Sequence, residues 1–267
     1  MVSITPAHRE ELDRRGYVVL DRVITAEVLA GLRGECDRFV AAEASRTDLD
    51  TEPPPIRDRE REPDRHGITR PGQRWFLANR HPDSEPLRSF LFSDLMADIC
   101  RVLCGDDAYL FLEQFVVKAA ERGLHFAWHQ DSGYIDVPHR RYLTCWCALD
   151  DATAVNGTIS VLPYERAGTT ERVEHWRDEA TNDLVGYAGD DPGEMVEVPA
   201  GGIVAFSSTT LHRSGPNTTD RPRRALVVQW SREPIREPDG SLRRLAEPLL
   251  IGGLRAGASV GHGPPAP

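Results

Sequence analysis

Apolar residues return every three or four positions through the first hundred residues and every second position after that, a change of period that predicts helices first and strands later. Val28, Leu29, Leu32, Cys36 and Phe39 mark a helix over about 25–42, and Leu87, Phe90, Leu91, Leu95 and Ile99 mark another over about 86–103. A shorter helix opens at Thr5-Pro6, where threonine can cap and proline suits the first helical position, and it stops near Gly16. Positions 17–20 then read as a strand. Beyond Gly105, the segments 109–117, 142–149, 158–162, 195–198, 203–206 and 225–230 are short, rich in β-branched or aromatic residues, and bounded by Gly, Pro, Asn and Asp. Many short strands without helices between them predict a mainly β fold with flanking helices, a double-stranded β-helix or jelly roll of the cupin kind.

Two stretches break the pattern. From 46 to 72 apolar residues almost vanish, prolines cluster at 53–55 and charges alternate in sign, which predicts a mobile, solvated loop whose arginines are available to an anion. Positions 165–194 are polar, with a short helix expected near 174–180, and read as an insertion able to form a lid. The rest of 1–250 is expected to be one domain, followed by a disordered tail at 252–267.

The 267 residues can bury a sizeable core, and a formal charge of −10 repels phosphate backbones, so nucleic acid is an unsuitable partner. With no apolar run of membrane-spanning length and a polar N-terminus, the expectation is a soluble cytoplasmic protein, monomer or homodimer, acting on a small molecule. The cysteines Cys36, Cys100, Cys104, Cys145 and Cys147 are odd in number and form no paired knuckles, so they read as buried thiols, with Cys145 and Cys147 sharing one strand face. Basic residues are arginine with one exception, Lys118, which lies just upstream of the segment that carries the chemistry.

That segment is Trp128-His129-Gln130-Asp131. His129 and Asp131 close a β segment, so both side chains can reach one ion, and His212 follows a later strand. Two other His-x-acid triplets, His8-Arg9-Glu10 and His81-Pro82-Asp83, lie in a helix and a turn and lack a partner. Two imidazoles and a carboxylate make the face on which non-haem Fe(II) oxygenases are built, leaving positions for a keto acid and O2. Arg223, at the mouth of the 225–230 strand, has a fork that can hold the distal carboxylate of a 2-oxo diacid bidentately. Arg221 and Arg224 compete for that role, and the spacing from His212 favours Arg223.

The chain resembles the phytanoyl-CoA dioxygenase family of Fe(II)/2-oxoglutarate-dependent oxygenases across about 5–231. The likeness rests on Gly16-Tyr17-Val18-Val19-Leu20, Trp128-His129-Gln130-Asp131, and Leu149-Asp150-Asp151 with Asn156-Gly157 and Leu162-Pro163. It continues through Pro199-Ala200-Gly201-Gly202 and His212 with Ser214-Gly215-Pro216-Asn217, to Arg223-Arg224-Ala225. The resemblance implies that His129, Asp131 and His212 ligate iron and that Arg223 binds 2-oxoglutarate. It also implies that Gln114, Trp146 and Thr144 line the co-substrate pocket and that Ser214 hydrogen-bonds the carboxylate held by Arg223. Related halogenases carry alanine or glycine at the Asp131 position, so a carboxylate there implies hydroxylation. Desaturation, ring closure or epimerisation by the same oxidant stays open, as does a cupin-like metal enzyme or binding module that uses no keto acid. The chain departs from many relatives at Pro163-Tyr164-Glu165-Arg166, where they have Gly-Ser-His after the proline, so the expected substrate is given only as a small molecule of secondary metabolism. Arg74, Trp75, Tyr134 and Trp176 are the candidate substrate contacts.

Overall fold

A computed structural model describes residues 3–47, 74–121, 124–178 and 183–256. Helix α1 (Pro6–Arg15) ends on Gly16 in the left-handed conformation, φ 84°, which turns the chain directly into β1 (Tyr17–Leu20). Helix α2 (Ala26–Thr47) runs past its expected end, and β2 (Arg74–Ala78) follows it among the described residues. The helix expected over 86–103 is broken. Ser93 accepts a hydrogen bond from the Met96 amide and starts α4 (Asp94–Ile99) apart from α3 (Glu85–Leu91), before a π turn at Cys100–Cys104. A serine able to cap a new first turn outweighs an unbroken apolar stripe.

The remaining strands are β3 (Ala108–Lys118), β4 (Phe126–His129), β5 (Leu143–Ala148), β6 (Ile159–Leu162), β7 (Trp176–Arg177), β8 (Leu184–Val185), β9 (Glu194–Val196), β10 (Ile203–Ser207), β11 (Leu211–Ser214), β12 (Arg223–Ser231), β13 (Glu247–Ile251) and β14 (Leu254–Arg255). One sheet runs β1-β10-β5-β12-β3-β13-β14, with β2 also on β3; a second runs β4-β11-β6-β9. Pairing is antiparallel throughout, the jelly roll expected.

Alternation assigns the faces of the larger sheet. Phe115, Cys145, Cys147, Leu226, Val228 and Trp230 pack under the helices against Leu32, Cys36, Phe39 and Leu87. Val116, Trp146, Ala225, Val227 and Phe206 face the second sheet, against Ile159, Val161 and Val196. Each large side chain so buried contributes roughly 1.5–3 kcal/mol. All five cysteines are buried free thiols.

Four expectations need correction or limitation. Where a helix was expected over 174–180, Trp176–Arg177 instead pairs with Leu184–Val185, and 179–182 lie outside the described residues. The loop at 46–72 lies almost wholly outside them as well. The tail begins with order, since Leu254–Arg255 folds back on β13, and 257–267 are not described. Finally, β2 and β11 were not anticipated from the pattern. Among the described residues no helix is long and apolar enough to cross a membrane.

Candidate active site

Strand β4 ends on His129, a single-turn helix at Asp131–Tyr134 begins on Asp131, and β11 sets His212 directly opposite His129 in register. The three side chains offer ligand atoms that all lie within 4.8 Å of one another. His212 Nε2 is 3.8 Å from Asp131 Oδ1, and the two imidazole centroids are 4.2 Å apart. Each ring turns Nδ1 onto a backbone carbonyl, His129 to Ala127 at 2.8 Å and His212 to Thr210 at 3.0 Å. A carbonyl can only accept, so Nδ1 carries the proton and Nε2 keeps its lone pair for a metal. Burial first, then the neighbouring His212, push His129 down to about 4, so it is the neutral, ligating form at neutral pH.

Thr144, placed by the resemblance in the co-substrate pocket, does line that cavity, but its hydroxyl is committed to donating to Asp131 Oδ2 at 2.5 Å. That leaves Oδ1 directed at the histidines. Thr144→Val should weaken Fe(II) binding by about tenfold or more, the usual cost of losing such a support, while Thr144→Ser should not. Anaerobic metal titration checks this, and unchanged binding by the valine variant would remove the role.

A cavity opens from the metal-facing atoms into the space between the sheets, lined by Phe76, Phe126, Tyr134, Trp146, Ser214 and Arg223 among others. Arg223, the first residue of β12, is 1% exposed. Its Nη2 donates to the Gly157 carbonyl at 3.0 Å, while Nε and Nη1 are buried with no hydrogen-bond partner among the described residues. A buried cation left with idle donors is costly. A carboxylate accepts two such N–H bonds at once, so the donor set fits one. Burial lowers the guanidinium to about 10, which still leaves it charged at neutral pH. Arg224, one residue on and on the opposite face, is tied to Asp150 at 2.7 Å, so its guanidinium is already paired.

Lys118 stands opposite Arg223 in register and is fully buried. Its Nζ donates to Ser214 Oγ at 2.7 Å and to the Gly215 carbonyl, and burial holds its pKa well below the ordinary lysine value. Because Ser214 Oγ accepts from Lys118, its own proton is free for an anion held by Arg223. Sequence reasoning marked Lys118 without finding this contact; its being the sole lysine was the available signal. Gln114 and Trp146 line the same cavity, with the Trp146 ring centroid 5.3 Å from the Arg223 guanidinium.

The substrate-side expectations divide. Tyr134 lines the cavity and meets the His129 ring edge to face at 5.7 Å. Arg74 does not reach the cavity: it is buried beside Phe126 and ion-paired with Asp183 at 2.8 Å, so its charge is already answered. Trp75 turns to the helix side of the sheet because it pairs with Val117, and Phe76 takes the cavity face in its place. Trp176 is 47% exposed on its two-residue strand and does not line the cavity.

A family model described as phytanoyl-CoA dioxygenase (PhyH) matches residues 12–225. The chain belongs to that family. As a PhyH member it is a dioxygenase, an oxidoreductase dependent on Fe(II) and 2-oxoglutarate, and the His129–Asp131–His212 face and the two idle donors of Arg223 suit both. An ectoine dioxygenase of Stutzerimonas stutzeri (strain A1501) is 25% identical over 242 residues, covering 83% of this chain and 75% of the relative. EvdO2 from Micromonospora carbonacea var. aurantiaca, solved in complex with 2-oxoglutarate, superposes with a TM-score of 0.64 at 22% identity, covering 94% of each chain. The carbocyclase SnoK from nogalamycin biosynthesis, described as non-heme and alpha ketoglutarate dependent, has a TM-score of 0.64 at 20% identity, covering 86% of this chain and 85% of its own. At these identities the two solved structures establish the shared jelly roll.

Proposed function

We propose that this PhyH member hydroxylates a small organic molecule, using 2-oxoglutarate and O2 and releasing succinate and CO2. The observation that carries the reading is that one cavity is lined both by an arginine with idle buried donors and by His129, Asp131 and His212. In this reading those three side chains hold Fe(II). When bound, the iron and its keto acid supply an oxidant able to take hydrogen from an unactivated carbon. The rest is work done by the chain. Arg223 and Ser214 hold the distal carboxylate, with Lys118 orienting the serine hydroxyl. Gln114 and Trp146 wall the co-substrate, and Thr144 keeps one Asp131 oxygen turned away from the metal. Asp131 fills the position that would otherwise be open to a halide, which favours oxygen transfer over halogenation.

Phe76, Phe126 and Tyr134 give part of the cavity an apolar, aromatic lining, suited to a substrate held by shape and stacking, such as a secondary-metabolite intermediate. Anaerobic addition of Fe(II) and 2-oxoglutarate should give the weak visible charge-transfer band of a chelated keto acid. Admission of air with a panel of small metabolites should then select the substrate by succinate release. Product mass reads the outcome: a gain of one oxygen atom supports hydroxylation, loss of two hydrogens indicates desaturation or ring closure, and an unchanged mass with inverted stereochemistry indicates epimerisation. A protein that binds metal but gives neither band nor succinate is a metal enzyme of another kind.

A further inference from the structure

Four histidines of this chain share one local device, in which Nδ1 meets the carbonyl two residues back. The distances are 2.8 Å for His129, 3.0 Å for His212, 2.8 Å for His139 to Val137, and 2.9 Å for His175 to Val173. The device spends the ring proton on the carbonyl and turns the Nε2 lone pair outward. In His129 and His212 that lone pair faces the metal position. His175 and His139 aim theirs at the residues on either side of Asp131: the Gln130 amide donates to His175 Nε2 at 3.0 Å, and Ser132 Oγ lies 3.0 Å from His139 Nε2. With Nδ1 already donating, Nε2 of His139 can only accept, so it shares the single Ser132 hydroxyl proton with Ser208 Oγ, 2.8 Å from Ser132 Oγ.

We propose that His175 and His139 are positioning residues for the metal-binding turn, holding Gln130 and Ser132 from opposite sides so that the Asp131 carboxylate stays on the His129–His212 face. The inference rests on the metal reading above. It adds that the 165–194 segment takes part in shaping the metal site, beyond any covering of the cavity.

The packing around the pair is built for this. Gln130 is fully buried, and its side chain grips the segment that carries His175: Oε1 accepts from the Val173 amide at 2.8 Å and Nε2 donates to the Glu171 carbonyl at 3.0 Å. The same Nε2 donates at 2.6 Å to the carbonyl of Thr209, on the approach to His212. The His175 ring lies between two glycines, and a Cβ on Gly133 or Gly186 would come within 2.5 or 2.6 Å of it. Gly186 in turn donates its amide to the Trp128 carbonyl at 2.8 Å, next to the first ligand. On the other side, Ser132 Oγ is 2.8 Å from Ser208 Oγ, which also accepts from the Tyr142 amide. Nothing in this network touches the cavity, so its effect on the reaction passes through the ligands.

The test is anaerobic Fe(II) titration of the full chain, with the visible band after 2-oxoglutarate addition and the melting temperature of the metal-free protein measured beside it. His175→Ala should weaken Fe(II) binding by about 10–100-fold, the range for lost support of a ligand, and move the band. His175→Gln, whose amide oxygen reaches the same place as Nε2, should recover most of both. His139→Ala should weaken binding in the same direction. If His175→Ala fails to fold, His175→Asn, too short to reach the Gln130 amide, must show the loss. Wild-type binding in the alanine or asparagine variant, or no recovery by glutamine at equal melting temperature, overturns the proposal. Failure of the unaltered protein to bind Fe(II) would instead overturn the metal reading on which it rests.

Discussion

His212→Ala removes succinate formation to background and lowers Fe(II) affinity by at least about 10³-fold, well beyond the 10–100-fold that losing a mere supporting group costs. On the proposed reading His129 and Asp131 remain as donors, and the described residues hold no other group of three metal-competent side chains to replace the lost one. The variant should still fold, because His212 sits on β11 between β4 and β6, whose backbone ladders do not depend on its imidazole. Thermal unfolding separates loss of metal from loss of structure. Ligand present at a hundred times its dissociation constant stabilises a protein by about 2.7 kcal/mol, a shift of several degrees in a domain of this size. The unaltered chain should gain that shift with Fe(II), and His212→Ala should gain none. A variant that keeps the Fe(II)-dependent shift would place the metal elsewhere.

Arg223→Ala should raise the 2-oxoglutarate requirement by about 10²-fold or more, from the loss of roughly 3 kcal/mol when one partner of a buried, hydrogen-bonded charge pair is truncated. Fe(II) binding should be nearly untouched, since Arg223 is not one of the three metal-competent side chains and hydrogen-bonds to the Gly157 carbonyl. Arg223→Lys should recover little, because an ammonium cannot reproduce the fork. Steady-state succinate release at varied 2-oxoglutarate, beside anaerobic Fe(II) titration, reads both quantities. A cupin-like hydrolase or isomerase using the same metal face would be indifferent to the change.

These two expectations draw on residues that differ in how plainly the chain announced them. His129, Asp131, His212 and Arg223 stand out because their order along the strands repeats a motif and because metal and carboxylate chemistry allow few side chains. Lys118 was visible only as an oddity of composition. Its use depends on Ser214 and the Gly215 carbonyl, which arrive from another strand. Arg74 shows the opposite case. It was a candidate substrate contact, and Asp183, 109 residues away, takes its charge instead. Thr144 kept its place in the cavity but turned its hydroxyl to Asp131.

By itself the sequence determined the helix-then-strand order, the two faces of the larger sheet and the residue types able to bind a metal and a keto acid. Those properties follow from local rules: a period of two or 3.6, a cap, a turn residue, a donor atom. Only the tertiary structure decided which buried cations are already paired, which histidines face the metal position and which brace the turn beside it. It also decided where the stripe over 86–103 breaks. Such outcomes depend on strand register and on segments meeting far along the chain, and a shift of one residue in register would exchange the inward and outward faces and dismantle the site.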